Sequence, residues 1–556
     1  MRILKSWFQS ALNIRKKNLY NSQACPILRE AFFSYSRLFI HNPSKNGNTT
    51  LNAEKIGDYR MKKELKKKRP VSEIELDELE KTLSRSHDFQ KVHYSNRQTS
   101  LCFSFTYFKT LIDQKMITKS LLPQLLLGEF NKIDDLKKLL PSASIQICDD
   151  LSKAEHMLLN GYVMVTSEAE NQKAAFMAAK CSYVREITHP EVEQTVIGAK
   201  EAFVESLENN LNLIRKRLPI SELIIEEYII GSISRTVVAV LYIEGITNTD
   251  NVSMVKERIE NIDFDEITDS SYIGQLISDN KNSPFPQLLD TERPDRAAAV
   301  LAEGKIVIAV DGSPHVLITP TTFSEFFSSF EDYFLNWTIA SFARILRAFS
   351  VIFSIQITSI YVATLTYHME LVPTDLLGTL VTSRQHIPLP PFYEALMLEL
   401  VIELLREAGA RLPTKVGQTI GIVGGIVIGT ASVQAGLTSN VLLIFIALAA
   451  LAAFTTPVYK MNNTIRFLRF PFLLFANLWG FVGVLFCSCI LLTHMIRLTS
   501  LGRPFMEPFY PPRYRDLKDS FLRFPFQPLR PVYLRTQNPH RFQPQKKSKV
   551  KKDIDE

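Results

Sequence analysis

Carboxylates stand out in one otherwise apolar segment, FYEALMLELVIELLREAG, at residues 392–409. Glu399 and Glu403 lie one helical turn apart, and Arg406 falls between them in projection. Charged groups at membrane depth are costly and usually face a bundle interior, a water-filled path or a counter-charge. The pattern therefore predicts either an ion path or gate, or an internal ion pair with Arg406 on a helix lying at the membrane surface.

A second polar pattern lies in the apolar segment 342–364, where hydroxyl groups recur at three- and four-residue spacing. These residues are Ser350, Ser354, Thr358 and Tyr361. On a helix they form one stripe, which could line a pore after oligomerisation. It could equally bridge neighbouring helices by hydrogen bonds.

Four glycines recur at every fourth position of the apolar run RLPTKVGQTIGIVGGIVIGTASVQAG: Gly417, Gly421, Gly425 and Gly429. Each glycine inside a helix costs about 0.8–1 kcal/mol relative to alanine. Small residues at this spacing let transmembrane helices approach closely, which offsets that cost. The run predicts a helix that packs against others inside a membrane.

Other chemistry is not indicated. The sequence has no phosphate-binding loop, no HExxH zinc motif and no GxSxG elbow. Its six cysteines show no metal-ligand spacing. We therefore expect no enzymatic activity, no catalytic residue, no metal site and no cofactor.

The elements that must position these residues form two kinds of chain. Alternating strand and helix patterns predict an α/β soluble N-terminal region, with two related subdomains joined by a helical connector, followed by an all-α polytopic membrane domain. The strand patterns include residues 101–108, 161–166 and 236–243, and a hairpin turns at Asp311–Gly312. The predicted order is a basic, largely disordered arm (1–95), subdomain 1 (96–188), the connector (189–225), subdomain 2 (226–340), the transmembrane domain (341–498) and a basic Pro/Arg-rich cytoplasmic tail (499–556).

Membrane helices are predicted at residues 342–364, 392–408, 440–456 and 467–495, beside the glycine helix. Basic residues stand at the start of the first helix (Arg344 and Arg347) and in the loop from Lys460 to Arg469, which indicates that both parts lie inside. Five full crossings would place the basic tail outside. We therefore expect an inside tail with four or six effective crossings, in which the acidic or glycine segment is re-entrant or the last segment is a hairpin.

The positive charge is concentrated in the tail. Residues 497–556 hold fourteen basic and six acidic residues, a net charge of +8, against +7 for the whole chain. Beside membrane helices, such a run is typical of contact with solvent or lipid headgroups rather than nucleic acid.

Long stretches of the chain closely resemble one family. SPFPQLLDTERPDRAAAVLAEGKIVIAVDGSPHVLITPTTFSEFF, the glycine run and MIRLTSLGRPFMEPFYPPRYRDLKD resemble the A subunit of GerA-type nutrient germinant receptors of bacterial endospores. The resemblance runs in order from about residue 100 to residue 540.

The resemblance implies a protein of the spore inner membrane. The apolar segments predict a multi-pass chain, and the lack of a signal-peptide pattern at the N-terminus predicts that the N-terminal region stays in the cytoplasm. The resemblance also implies a transporter-like B subunit and a lipoprotein C subunit as partners, with membrane lipid around a homo-oligomer. It further implies a nutrient-gated cation channel that triggers germination. Two alternatives remain open: a stage V sporulation paralogue acting as an accessory ion channel, and a scaffold that clusters receptors without conducting.

Overall fold

The computed structural model describes residues 75–99, 101–130, 133–139, 145–148, 151–167, 170–180, 197–411 and 429–512, together with residues 190, 193, 195, 425, 522 and 523. The predictions for Gly417 and Gly421, and those for residues 1–74 and most of the basic tail, lie outside the described residues. The fold below concerns the described residues only.

Subdomain 1 is built on one antiparallel sheet whose five strands lie in the order β1-β2-β4-β5-β3. The strands are β1 (Phe89–Ser95), β2 (Cys102–Phe108), β3 (Ile145–Cys148), β4 (Tyr162–Ser167) and β5 (Glu170–Ala178). Successive side chains of β4 point to opposite faces. Val163 and Val165 join one buried cluster, while Met164 joins the other. Both faces of this sheet are therefore covered, which explains why the central strands β2 and β4 are largely buried.

Helices pack on both faces of this sheet. They are α1 (Glu75–Leu83), α2 (Gln114–Met116), a π-helical stretch (Ile117–Leu121), α3 (Leu122–Leu127), a 3₁₀ turn (Ile133–Asp135), α4 (Leu136–Leu139) and α5 (Leu151–Leu158). The strands predicted at 101–108 and 161–166 are both present.

Subdomain 2 repeats the same plan, with strand order β6-β7-β9-β10-β8. The strands are β6 (Leu223–Ile230), β7 (Thr236–Ile243), β8 (Leu289–Thr291), β9 (Ile306–Val310) and β10 (Val316–Thr319). The accompanying helices are α6 (Leu207–Arg217), α7 (Thr249–Glu260), α8 (Ser270–Leu276) and α9 (Pro294–Glu303), followed by 3₁₀ turns at Phe323–Phe327 and Phe330–Tyr333. The predicted hairpin is present, because β9 and β10 pair antiparallel and Gly312 has a φ of 86°. The prediction of two related α/β subdomains is confirmed by this shared strand order.

The two subdomains are joined by a buried ion pair. Arg215 of α6 lies 2.7 Å from Asp88 of subdomain 1, and both side chains are fully buried. Arg215 also donates to the carbonyl of Leu223 at 3.2 Å. Ser86 accepts from Arg215 at 3.0 Å and from the backbone N–H of Ile225 at 3.2 Å. The guanidinium thus satisfies acceptors from both subdomains at once, which fixes one against the other.

Two boundaries differ from the sequence prediction. Residues 75–95, expected to belong to a disordered arm, form α1 and β1, and β1 pairs with β2 along its whole length. The predicted connector is helical only in α6 among its described residues, and its last part already belongs to β6. Residues before α6 bond to subdomain 2 instead of to one another, since Phe203 N–H donates to the carbonyl of Glu292 at 2.8 Å.

The C-terminal region is helical. Its helices are α10 (Trp337–Tyr367), a 3₁₀ turn (Met369–Leu371), α11 (Thr374–Arg384), α12 (Pro391–Ala410), α13 (Asn440–Ala453) and α14 (Tyr459–Arg497). Among the described residues, α10 and α14 are long and apolar enough to cross a membrane. Large apolar side chains face outward on these helices, including Phe342, Phe349 and Val482. An outward apolar surface of this kind is typical of helices that face lipid.

The last long helix is a hairpin. Trp479 and Gly480 leave helical geometry inside α14. In an unbroken helix Phe475 and Phe486 would lie about 16 Å apart along the axis. Their ring centroids lie only 5.9 Å apart. We call residues 459–478 the rising limb and residues 481–497 the returning limb.

Both limbs end on the same part of subdomain 2. Thr464 of the rising limb donates to the carbonyl of Pro284. His494 of the returning limb lies 2.8 Å from the Ser283 hydroxyl and packs against Phe285. After the hairpin, β11 (Thr499–Ser500) and β12 (Arg503–Pro504) return to subdomain 2, where Ser500 donates to the carbonyl of Gln287 at 2.6 Å. The hairpin alternative for the last segment therefore matches the structure.

Candidate functional site

The acidic helix α12 carries three buried or half-buried glutamates along its inner side. Proline at its first position suits a helix start, because the missing N–H would have no partner there. Glu394, Glu399 and Glu403 then span about 13 Å of the helix axis at 1.5 Å per residue. We call their three contacts with arginines the ion-pair ladder. Its members are Glu394–Arg384, Glu399–Arg469 and Glu403–Arg466.

The middle rung lies in the centre of the helical bundle. Arg469 of α14 donates to Glu399 at 3.2 Å, and Thr358 of α10 donates to the other carboxylate oxygen at 3.0 Å. Arg469 also donates to the Ser354 hydroxyl and to the carbonyl of Ala449, each at 2.6 Å. Four helices, α10, α12, α13 and α14, thus meet in one polar cluster.

Burial makes this cluster energetically sensitive. Glu399 is 1% exposed and Arg469 is 3% exposed. A buried pair gains little net stability over an apolar replacement, but loss of one partner costs about 3–5 kcal/mol, because an uncompensated charge remains. The guanidinium of Arg469 is held by three acceptors, while its Nε–H has no partner among the described residues.

The two outer rungs lie closer to the ends of the bundle. Near the soluble region, Arg466 donates to Glu403 at 2.9 Å, and both side chains are partly exposed. At the other end, Glu394 accepts from the backbone N–H of Ser439 at 2.6 Å, at the start of α13. Arg384 lies 3.5 Å from the same carboxylate. Each of these three glutamates thus has a cationic partner from a segment other than α12.

Arg406 has other partners than the sequence pattern suggested. It donates to the side chain of Asn463 at 3.0 Å, and its guanidinium lies over the rings of Phe454 and Tyr459. Glu399 and Glu403 pair instead with arginines of α14. The internal ion pair with Arg406 is therefore not the arrangement in this structure.

The hydroxyl stripe of α10 faces the neighbouring helices. Ser350, Ser354 and Thr358 are buried. Ser354 donates to the carbonyl of Ala449 at 3.0 Å, and the Tyr361 hydroxyl lies 3.1 Å from that of Ser439. Within one chain, these contacts match the helix-bridging alternative. The predicted part of Ser350, Ser354 and Thr358 in an ion path stays a prediction.

Only two residues of the glycine ladder are described. A Cβ added at Gly429 would lie 3.6 Å from the side chain of Leu443 on α13, an ordinary contact distance. A Cβ added at Gly425 would meet no described atom within 4 Å. The packing role of Gly417, Gly421, Gly425 and Gly429 stays a prediction.

The arginine partners were missed from the sequence. Residues 460–469 were expected to be an inside loop, but they form the first turns of α14. Arg466 and Arg469 then lie three residues apart and turn toward α12, because residues at this spacing share a helix face. The available signal was their position at the edge of an apolar run, opposite a helix with glutamates at similar spacing.

The described residues include no group of three or more His, Cys, Asp or Glu that could hold a metal ion. The arrangement consists of paired charges, hydroxyls and backbone carbonyls. Such groups can bind or repel small ions and can hold helices together.

Comparison with known proteins gives consistent results. Residues 77–532 match the family described as Bacillus/Clostridium GerA spore germination protein. Spore germination protein GerQA of Bacillus cereus is 47% identical, over 86% of this chain and 95% of that protein. Spore germination protein A1 of Bacillus subtilis (strain 168) is 37% identical, over 77% of this chain and 88% of that protein. The N-terminal domain of the A subunit of the Bacillus megaterium spore germinant receptor GerK3 is 28% identical and covers 46% of this chain and 99% of its own length, with a TM-score of 0.36.

Proposed function

The chain belongs to the GerA family of spore germination proteins, and we propose that it is the membrane-embedded A subunit of a nutrient germinant receptor. In this proposal, several copies assemble into a cation channel that opens when the receptor binds its nutrient. Release of monovalent cations then commits the spore to germinate.

The observation that carries the channel proposal is the ion-pair ladder. Buried carboxylates in an apolar bundle are rare, and they usually mark ion pathways. Here each carboxylate is neutralised by an arginine from another segment. This arrangement suits a closed state, because a paired carboxylate has little attraction left for a passing cation. Movement of α14 away from α12 would separate Arg466 and Arg469 from Glu403 and Glu399, and would leave negative charge facing the gap.

The same geometry supports a cytoplasmic soluble region and tail. Both limbs of the α14 hairpin end against residues 283–285 of subdomain 2. Basic residues such as Lys460 and Arg497 lie at those ends, and such residues favour the cytoplasmic side. We propose that the protein lies in the spore inner membrane and acts with a transporter-like B subunit and a lipoprotein C subunit. We also propose that the protein has no enzymatic activity.

Cation flux through liposomes that carry the purified full-length chain tests the channel and its residues. We expect Glu399→Gln and Glu403→Gln to change potassium efflux several-fold, because each leaves an arginine charge uncompensated. Glu407→Gln is the matched control, since this glutamate is on the same helix but its side chain is 66% exposed and paired with Arg411. Equal efflux from all four proteins would remove the carboxylates from the ion path.

Two alternatives have their own tests. Adjacent reading frames for a transporter-like and a lipoprotein subunit favour the receptor over a stage V sporulation paralogue. Normal cation release from spores that lack the protein would favour a non-conducting scaffold over both channel functions.

A further inference from the structure

A groove of about 550 Å³ lies between subdomain 2 and the base of the α14 hairpin. One wall is formed by residues 271–288, and the other by the first turns of the rising limb, from Lys460 to Phe467. Ligand pockets typically have volumes of roughly 300–1,000 Å³. The groove is therefore large enough for a small organic ligand and is separate from the ion-pair ladder.

The charge of the groove is positive. Its lining includes Lys281 and Lys460, several amide and hydroxyl side chains and, within the described part of the chain, no aspartate or glutamate. Asp290 lies outside the lining and 3.4 Å from the Lys460 amine. The side chains of that pair are 40% and 22% exposed, so the pair only partly compensates the lysine. Lys281 is exposed. The groove is thus complementary to an anion whose oxygens accept hydrogen bonds.

The groove continues into an apolar track on the rising limb. Phe467 lines the groove, and Leu474 and Leu478 follow it seven and eleven residues later, on the same face of the helix. Their side chains are 59%, 49% and 50% exposed, respectively. The rising limb is about 30 Å long at 1.5 Å per residue, which is the thickness of the hydrocarbon core. Lys460 therefore lies at the depth of the lipid headgroups when the limb spans the bilayer.

We propose that this groove binds the phosphate-bearing headgroup of an anionic phospholipid, with an acyl chain along Phe467, Leu474 and Leu478. The lysine amines and the amide N–H groups would donate to the phosphate oxygens, and the apolar track would cover the chain. Free phosphate shares the headgroup chemistry but cannot use the track. The site does not depend on whether the protein conducts ions.

The position of the site gives it a structural consequence. The same residues 283–285 that line the groove contact both limbs of the hairpin. An occupied groove would therefore hold subdomain 2 and the hairpin base together.

Native mass spectrometry of the full-length chain in detergent tests the proposal. The probes are phosphatidylglycerol, phosphatidylcholine as the neutral lipid, and inorganic phosphate as a competitor. We expect the protein to retain phosphatidylglycerol in preference to phosphatidylcholine. The double variant Lys281→Gln/Lys460→Gln should retain at least threefold less phosphatidylglycerol. Arg497→Gln is the matched control, because it removes an exposed positive charge from the returning limb, outside the groove. Lys281→Gln alone leaves the Lys460–Asp290 pair intact and should show part of the loss.

Each outcome bears on the proposal. Displacement of the lipid by millimolar inorganic phosphate would support the phosphate chemistry but overturn the lipid as occupant. Equal retention of both lipids, or a loss in Arg497→Gln as large as in the double variant, would overturn the site. If the double variant changes the oligomer mass and loses no lipid, a second copy of the chain covers the track. This result would overturn the lipid as its occupant.

Discussion

Replacement of Arg469 by methionine tests the reasoning about the middle rung of the ladder most directly. Methionine fills much of the same volume but carries no charge. Glu399 is 1% exposed. Its two described side-chain partners are Thr358 and Arg469, and only the hydrogen bond from Thr358 then remains. The carboxylate must either remain charged in an apolar bundle or take up a proton, and both outcomes cost free energy.

The size of the effect follows from the burial of the pair. Loss of one member of a buried pair costs about 3–5 kcal/mol, whereas replacement of both by apolar residues is often neutral. In the double variant Glu399→Leu/Arg469→Met, Ser354 still donates to the carbonyl of Ala449. Thr358 can turn to a carbonyl of its own helix. We therefore expect the double variant to be more stable than either single variant, with a coupling energy of at least about 2 kcal/mol.

The assay is a double-mutant cycle on the unfolding of the full-length chain in detergent. Glu407 and Arg411 provide the matched cycle, because they form an Arg–Glu contact of 2.6 Å whose side chains are 66% and 78% exposed. An exposed pair at this spacing is worth about 0.3–0.5 kcal/mol. Additive costs at Glu399 and Arg469, or equal coupling in the two cycles, would refute the view that this pair is sealed from water.

Two further predictions concern the hairpin tip and subdomain 2. Gly480→Ala should destabilise the protein by about 1–2 kcal/mol, since Gly480 has a φ of 57°. Gly378 lies in a regular helix, and a Cβ added there would meet no described atom within 4 Å, so Gly378→Ala should be neutral or stabilising. If the two changes affect the free energy of unfolding equally, the backbone at the hairpin tip is not strained. Burial raises the pKa of Glu226, but hydrogen bonds from Lys256, Tyr242 and Tyr228 outweigh it and hold the pKa below its usual range. The contribution of ionised Glu226 to the free energy of unfolding should therefore be present above the unfolded pKa of about 4.3 and be lost as pH falls further. If the stability difference between the wild type and Glu226→Gln does not change with pH, this prediction is contradicted.

The sequence predicted most of the regular elements whose pattern is strong and local. Strand β7 and the β9–β10 hairpin match their predicted positions because β-branched runs and the Asp311–Gly312 turn specify them locally. The strands β1, β3, β5, β6 and β8 were missed. Their sequences mix polar and apolar types, and each strand is stabilised by hydrogen bonds to another strand of its sheet, as β1 is by β2 and β6 by β7. Pairing of this kind leaves little trace in a short window of sequence.

About half of the candidate site could be predicted from the sequence. Glu399, Ser354 and Thr358 could be selected because polar side chains at helical spacing are conspicuous in an apolar run. Arg469 could not, since its role depends on a contact with a residue seventy positions earlier in the chain. A charge near the end of an apolar segment is typical of a membrane boundary. Only the packing of α14 against α12 shows that this charge lies inside the bundle.

The hairpin in α14 also bears on how the chain enters its membrane during synthesis. Between Arg469 and His494 the sequence contains no aspartate, glutamate, lysine, arginine or histidine. The tip at Trp479 and Gly480 can therefore reach the far side without carrying a charged side chain all the way across the hydrocarbon, since Arg469 stops beside Glu399 inside the bundle. The two limbs can insert together as one unit late in translation. In the topology proposed above, the basic segment after residue 497 remains on the side of the ribosome, and no translocation machinery is needed for it.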